Sequence, residues 1–142
     1  VSQHGSQLSR LDEEITFLTD YLEMQKIRFG TALECAIHIP EENLTNRYLL
    51  SFSLQPLLEN AIKHNELTEE TPLRVCVYQS GDRVIVSNNL QKRSVKTFSA
   101  NHGLANLAER YRLWSGDDII IAEEENTFSV SIKLLTNEHS HH

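Results

Sequence analysis

The chain has 142 residues, enough for one domain with its own core or for a helix joined to a compact domain. Its formal net charge of −7 argues against nonspecific nucleic-acid binding, and its 39 % hydrophobic and 23 % charged residues are ordinary for a globular protein. No apolar run approaches the ~20 residues a membrane helix needs, and no signal peptide opens the chain. The two cysteines, Cys35 and Cys76, lie outside any metal-ligand spacing and read as buried thiols in a reducing compartment. The chain opens on Val1 in mid-pattern, which reads as a fragment of something larger.

Residues 1–7 are polar and read as loose. Ser9 is a candidate helix cap, with Asp12, Glu13 and Glu14 in the first turn, where negative charge is favoured. Leu11, Ile15, Leu18, Leu22, Gln25 and Phe29 then recur at alternating steps of four and three. That stripe suits a helix lying along another helix, or one packed on its own domain's core. Gly30 ends the helix. Residues 31–39 read as a strand stopped by Pro40, and 43–48 as a turn or short helix. A second helix is expected over 49–65, then a polar loop to Pro72. Leu73, Val75 and Val77 alternate with Arg74, Cys76 and Tyr78, as in a half-buried strand. Ser80-Gly81-Asp82 forms a hairpin turn, and 83–88 return. Residues 90–102 form a long polar loop carrying Lys92, Arg93 and Lys96. A third helix is expected from Leu104 to Trp114, then a hairpin of 118–122 and 127–134, and a disordered tail over 136–142. This order of elements predicts an α+β fold: a two-layer α/β sandwich, with helices on one face of a mixed sheet, preceded by one long helix.

The second helix holds the most informative stretch, Leu54-Gln55-Pro56-Leu57-Leu58-Glu59-Asn60-Ala61-Ile62-Lys63-His64. At about 100° per residue, Leu54, Leu57, Leu58, Ala61 and Ile62 share a core face. Asn60, Lys63 and His64 share a neighbouring polar face. An amide oxygen suits a hard cation, and an ammonium suits a phosphate.

The stretch resembles the N-box of the histidine-kinase ATPases, most closely that of LytS-type sensor kinases. Three further segments agree in order. Leu22-Glu23-Met24-Gln25-Lys26-Ile27-Arg28-Phe29 is similar to the helix end before the family's ATPase domain. Gly103-Leu104-Ala105-Asn106-Leu107-Ala108-Glu109-Arg110-Tyr111 is similar to its second glycine box. Phe128-Ser129-Val130-Ser131-Ile132-Lys133-Leu134-Leu135 is similar to its closing strand.

The resemblance implies the Bergerat ATPase fold, with ATP and Mg²⁺ as cofactors. Asn60 would be the metal ligand, bridging to the phosphates. Lys63 and His64 would lie near phosphates and ribose, and Asn88 near the adenine. Gly103, Leu104, Asn106 and Arg110 would belong to the second nucleotide-binding box. The loop bearing Lys92, Arg93 and Lys96 would be a lid over the nucleotide. Glu59 lies about 100° round the helix from Asn60 and off the polar face. Hydrolysing relatives carry a glutamate one turn before the asparagine, where this chain has Pro56, so phosphotransfer is favoured over hydrolysis.

Three departures accompany the match. Asn88 stands where the family carries an aspartate, and no glycine follows it until Gly103. Asn101-His102-Gly103 replaces a Gly-x-Gly box. The family's phosphoacceptor histidine, set in a Pro-His-Phe-like run, is absent from these residues. The expectation is therefore a protein-histidine kinase's ATP-binding domain, supplying a γ-phosphate to a histidine outside this fragment for relay to a response regulator. A degenerate, non-catalytic interaction domain is the alternative. The expected division is 1–30 as the end of a helical dimerisation region, 31–135 as the catalytic domain and 136–142 as tail. The expected partners are the upstream helical domain, a second copy of the parent and a receiver domain, with neither nucleic acid nor membrane touching this part. The expected location is the cytoplasmic side of an inner-membrane sensor.

Overall fold

The computed structural model describes residues 7–91 and 102–136. Its main sheet has the strand order β2-β4-β5-β7-β6, built from β2 (Leu33–His38), β4 (Leu73–Ser80), β5 (Arg83–Asn89), β6 (Ile120–Glu123) and β7 (Thr127–Lys133). β2 pairs with β4 in parallel; the other pairs are antiparallel. A separate two-stranded ribbon joins β1 (Leu8–Arg10) to β3 (Tyr48–Leu50). Three helices complete the chain: α1 (Leu11–Phe29), α2 (Leu54–His64) and α3 (His102–Ser115).

Strand alternation builds the core. Leu73, Val75 and Val77 of β4, Val84 and Val86 of β5, and Val130 and Ile132 of β7 are buried on one side of the sheet. They meet Leu54, Leu57, Leu58 and Ala61 of α2 and Leu104, Leu107 and Tyr111 of α3 in one cluster. This is the mixed-sheet, two-layer α+β arrangement expected from the residue pattern.

The stripe on α1 enters the same cluster. Leu11 and Leu18 are fully buried in it, and Ile15, Leu22 and Phe29 pack against its margin. The division expected at residue 30 therefore does not separate two cores. Gly30 does end α1, at φ +57° in the left-handed half of the map, where glycine is least hindered.

Ser9 does not cap α1. It lies in β1 opposite Leu49, and its hydroxyl shares a buried hydrogen bond of 2.8 Å with the Ser51 hydroxyl. The first N–H groups of α1 are met by the turn that leads into β3 instead: Leu11 donates to Arg47 O and Asp12 to Leu44 O, both at 2.9 Å. The second helix is also shorter than its apolar periodicity predicts. Residues 48–50 are drawn into β3 by pairing with β1, and Phe52 turns the chain at φ +64° before α2 begins at Leu54. Over 43–48, the 3-10 turn at Glu41–Asn43 continues as a turn over 44–46, as expected, before β3 opens at Tyr48. The loop with Lys92, Arg93 and Lys96 and the tail after Thr136 lie outside the described residues.

Candidate functional site

On α2 the five expected core positions, Leu54, Leu57, Leu58, Ala61 and Ile62, are all buried. Beside them Asn60 and His64 are half-buried and Lys63 is exposed. The helix therefore presents an amide, an ammonium and an imidazole within two turns of one another. Pro56 stands in the first turn, where no intrahelical N–H is required. Glu59 faces away from this polar stripe, toward α1: the Tyr21 hydroxyl is pushed up in pKa by burial first and by the Glu59 charge second.

The same end of α2 is tied to the exit of β5. Asn65, buried just past the helix, donates to Ala61 O at 2.8 Å and accepts the Gln91 N–H at 2.7 Å. Glu66 N–H donates to Gln91 O at 2.8 Å. The tie brings Asn88 to the same end of the domain. Asn88 is buried on the helix-facing side of β5, and its amide donates to Asn89 O at 2.8 Å. Asn65 has no place in the expected site; Asn-Glu after an apolar helix face is the only sequence sign of its role as a C-terminal tie.

The opposite end of α2 is held by a buried carboxylate. Glu14 of α1, only 1 % exposed, accepts hydrogen bonds from Phe52 N–H and Ser53 N–H at 2.8 Å each and from Leu54 N–H at 3.3 Å. An α-helix leaves its first N–H groups unpaired and carries partial positive charge there, so a carboxylate meets both needs at once. Beside it the Tyr111 hydroxyl accepts Leu50 N–H at 3.0 Å and lies 3.3 Å from the Ser53 hydroxyl. Burial pushes the Tyr111 pKa up to about 12, with the hydrogen bonds acting in the other direction.

Arg110 belongs to this second cluster. Its guanidinium donates to Ser51 O at 2.9 Å, which braces the turn into α2. The later half of α3 thus lies against the start of α2. Leu107 and Leu104 continue back along the shared core. At about 1.5 Å per residue, Gly103 lies roughly 12 Å back from Tyr111, toward the end of α2 that carries Lys63 and His64. The structure places Gly103 inside the first turn of α3, which begins at His102. Gly103 and Asn106 are exposed; Leu104 is buried, so only its backbone faces the helix end. Asn60, Lys63, His64, Asn88 and the start of α3 therefore gather at one end of the domain, and Arg110 at the other.

A group of three or more histidine, cysteine or acidic side chains able to hold a metal does not occur among the described residues. A magnesium ion on ATP needs no such cage: it keeps several waters, takes phosphate oxygens and accepts one or two protein oxygens. The single amide oxygen of Asn60 fits that donor set.

The fold is that of histidine-kinase catalytic domains. The nucleotide-free catalytic domain of histidine kinase ThkA superposes with a TM-score of 0.58 at 16 % identity, over 92 % of this chain and 97 % of that one. The cytoplasmic segment of histidine kinase QseC gives 0.60 at 14 % identity, over 92 % and 78 %. No protein-family model matches the chain. Among curated proteins, the sensor histidine kinase BtsS of Escherichia coli strain K12 is 30 % identical over 136 residues, 91 % of this chain and 24 % of that protein. The sensor protein kinase HptS of Staphylococcus aureus strain USA300 is 33 % identical over 87 residues, 60 % of this chain and 17 % of its own length. The chain is a homologue of part of the sensor histidine kinases and has the fold of histidine-kinase catalytic domains. It spans about a quarter of the length of BtsS.

Proposed function

We propose that this chain is the ATP-binding catalytic domain of a LytS-type sensor histidine kinase. The observation that supports the proposal is the polar stripe of Asn60, Lys63 and His64 at the end of α2 that Asn65 and Gln91 tie to the exit of β5, the strand that carries Asn88. In this reading Asn60 offers its amide oxygen to Mg²⁺. Lys63 sets a point charge against phosphate, and His64 offers a ring nitrogen to phosphate or ribose. The first N–H groups of α3, with Gly103 keeping the backbone open, receive a phosphate oxygen. Asn88 reads the adenine from the floor of the site. Leu104 and Asn106 support the same turn.

Bound Mg²⁺ supplies charge neutralisation across the phosphates. The chain's own residues bind and orient the nucleotide, so that the γ-phosphoryl group passes to a histidine nitrogen outside this fragment and ADP remains. No side chain stands one turn before Asn60 to activate water, because Pro56 occupies that place. The catalytic contribution is positioning and electrostatics. The parent would then be a homodimeric, membrane-anchored sensor with this domain on the cytoplasmic side. It would pass its phosphate to the aspartate of a response-regulator receiver domain.

One observation favours a second reading, a domain that keeps the fold without the chemistry. Asn88 replaces a charged adenine acceptor and already spends a donor on Asn89 O. Calorimetric titration with ATP and Mg²⁺ separates the two. The first reading expects saturable binding by the folded chain and at least tenfold weaker binding by Asn60→Ala. Absence of binding up to millimolar nucleotide, in a chain that unfolds cooperatively, sinks it in favour of the second.

A further inference from the structure

The main sheet ends at β6, which pairs with β7 on one side and with no strand on the other among the described residues. Its pairing pattern fixes which backbone groups face outward. Glu124 and Thr127 exchange hydrogen bonds of 2.8 and 3.4 Å across the hairpin. Hydrogen-bonded pairs alternate along an antiparallel ladder, so Ala122–Ser129 and Ile120–Ser131 are bonded and Ile121–Val130 is not. The N–H and C=O of Ile121 therefore point to the open edge. Two large apolar side chains stand there as well, Ile120 at 52 % and Ile121 at 49 % exposure. An exposed strand edge with adjacent isoleucines is a template for another strand.

The flanks decide which strand. Asp117 and Asp118 precede β6, and Glu123, Glu124 and Glu125 end it. Lys133 lies 3.7 Å from Asp117, and Arg112 lies 3.5 Å from Asp118. Glu124 and Glu125 meet no cation among the described residues. A second copy of this chain pairing edge to edge about a two-fold axis would set Asp117 and Asp118 against Glu124 and Glu125, like charges face to face, which is destabilising. The charge pattern therefore selects against self-association and for an opposite pattern.

We propose that β6 is a docking edge for an extended segment of a partner protein, with apolar residues at its centre and lysine or arginine on both sides. The partner's strand adds next to Ile121, its apolar centre covers Ile120 and Ile121, and its basic flanks meet the two acidic ends. The inference goes beyond nucleotide binding and does not depend on it.

The test uses the isotopically labelled 142-residue chain and a peptide of sequence lysine-lysine-valine-isoleucine-valine-lysine-lysine, followed by amide NMR. Expected are shifts confined to β6 and its flanks, slowed exchange of the Ile121 amide, and affinity about tenfold weaker at high salt than at low salt. The same peptide with glutamate in place of lysine should not bind. Asp118→Lys with Glu125→Lys, both exposed positions, should invert that preference. Ile121→Lys should abolish binding while leaving the thermal midpoint of the fold within a few degrees. The proposal is overturned if the basic peptide does not bind, if its shifts scatter over other acidic surfaces such as the start of α1, or if a composition-matched peptide with alternating lysines binds equally well. Sedimentation showing the unliganded chain dimeric through β6 would overturn it in favour of a second copy as occupant.

Discussion

Replacing Glu14 by alanine probes the join between α1 and α2. The carboxylate is 1 % exposed and accepts N–H groups at 2.8, 2.8 and 3.3 Å. Its removal leaves the first N–H groups of a buried helix start without an acceptor. Hydrogen bonds to a charged acceptor contribute about 1.5–3 kcal/mol each, so the two short ones give a loss of about 3–6 kcal/mol. Glu14→Gln keeps one acceptor oxygen but turns an NH₂ toward a backbone donor, and should cost about 1–3 kcal/mol. Glu13→Ala is the internal control. Glu13 is exposed, accepts Arg10 N–H at 2.9 Å, and should cost under about 1 kcal/mol. Urea denaturation of the three variants, with unchanged slopes, measures all of these. A Glu14→Ala loss below about 1 kcal/mol, or a larger loss at Glu13, would refute the assignment of Glu14 as the anion that holds α2.

Phe52 sits at φ +64°, where a side chain costs about 1–2 kcal/mol, while its ring stacks on Phe17 at a centroid distance of 5.2 Å. Phe52→Gly should therefore be more stable than Phe52→Ala by about 1 kcal/mol, the reverse of the usual order, as read by thermal melts. Tyr111 titrates at about 12 in the fold against a reference of 10. The folded chain keeps this proton where the unfolded chain has lost it, so the contribution is full below pH 10 and declines as pH rises toward 12. The decline should amount to roughly 2–3 kcal/mol, and Tyr111→Phe should remove it from the pH–stability curve. Burial likewise pushes the Cys35 thiol up to about 11, so Cys35 should react slowly with alkylating reagents near pH 8 in the native chain and quickly in urea. Arg110→Ala should cost about 1–2 kcal/mol through the lost Ser51 bond, with nucleotide affinity unchanged by calorimetry.

Periodicity carried much of the fold. The two-residue alternation in β4 and β5, the apolar face of α2 and the glycine ending α1 all lie where the residues imply. What escaped it has a common cause, long-range pairing overriding local preference. Ser9 has the chemistry of a cap, yet β1 needs a partner, and pairing with β3 takes both Ser9 and the residues expected to open α2. Glu14 looks like one of three first-turn acids. Only the packing of α1 across α2 shows that it faces inward while Glu13 faces water. The polar stripe of Asn60, Lys63 and His64 was legible because helix geometry alone sets it. Arg110 was not, because four-residue spacing from Asn106 gives a face and says nothing of the partner, which is Ser51 O, 59 positions away in sequence. Asn65 and Gln91 escaped for the same reason.

Amide and side-chain NMR of the labelled chain during titration with ATP and Mg²⁺ tests the central claim most directly. The predicted result is saturable shifts at Asn60, Lys63, His64, Asn88 and Gly103, with the Arg110 guanidinium and the Glu14-bonded amides of Ser53 and Leu54 unmoved. Shifts centred on Arg110 and the start of α2, with the Asn60 side-chain amide unperturbed, would contradict it.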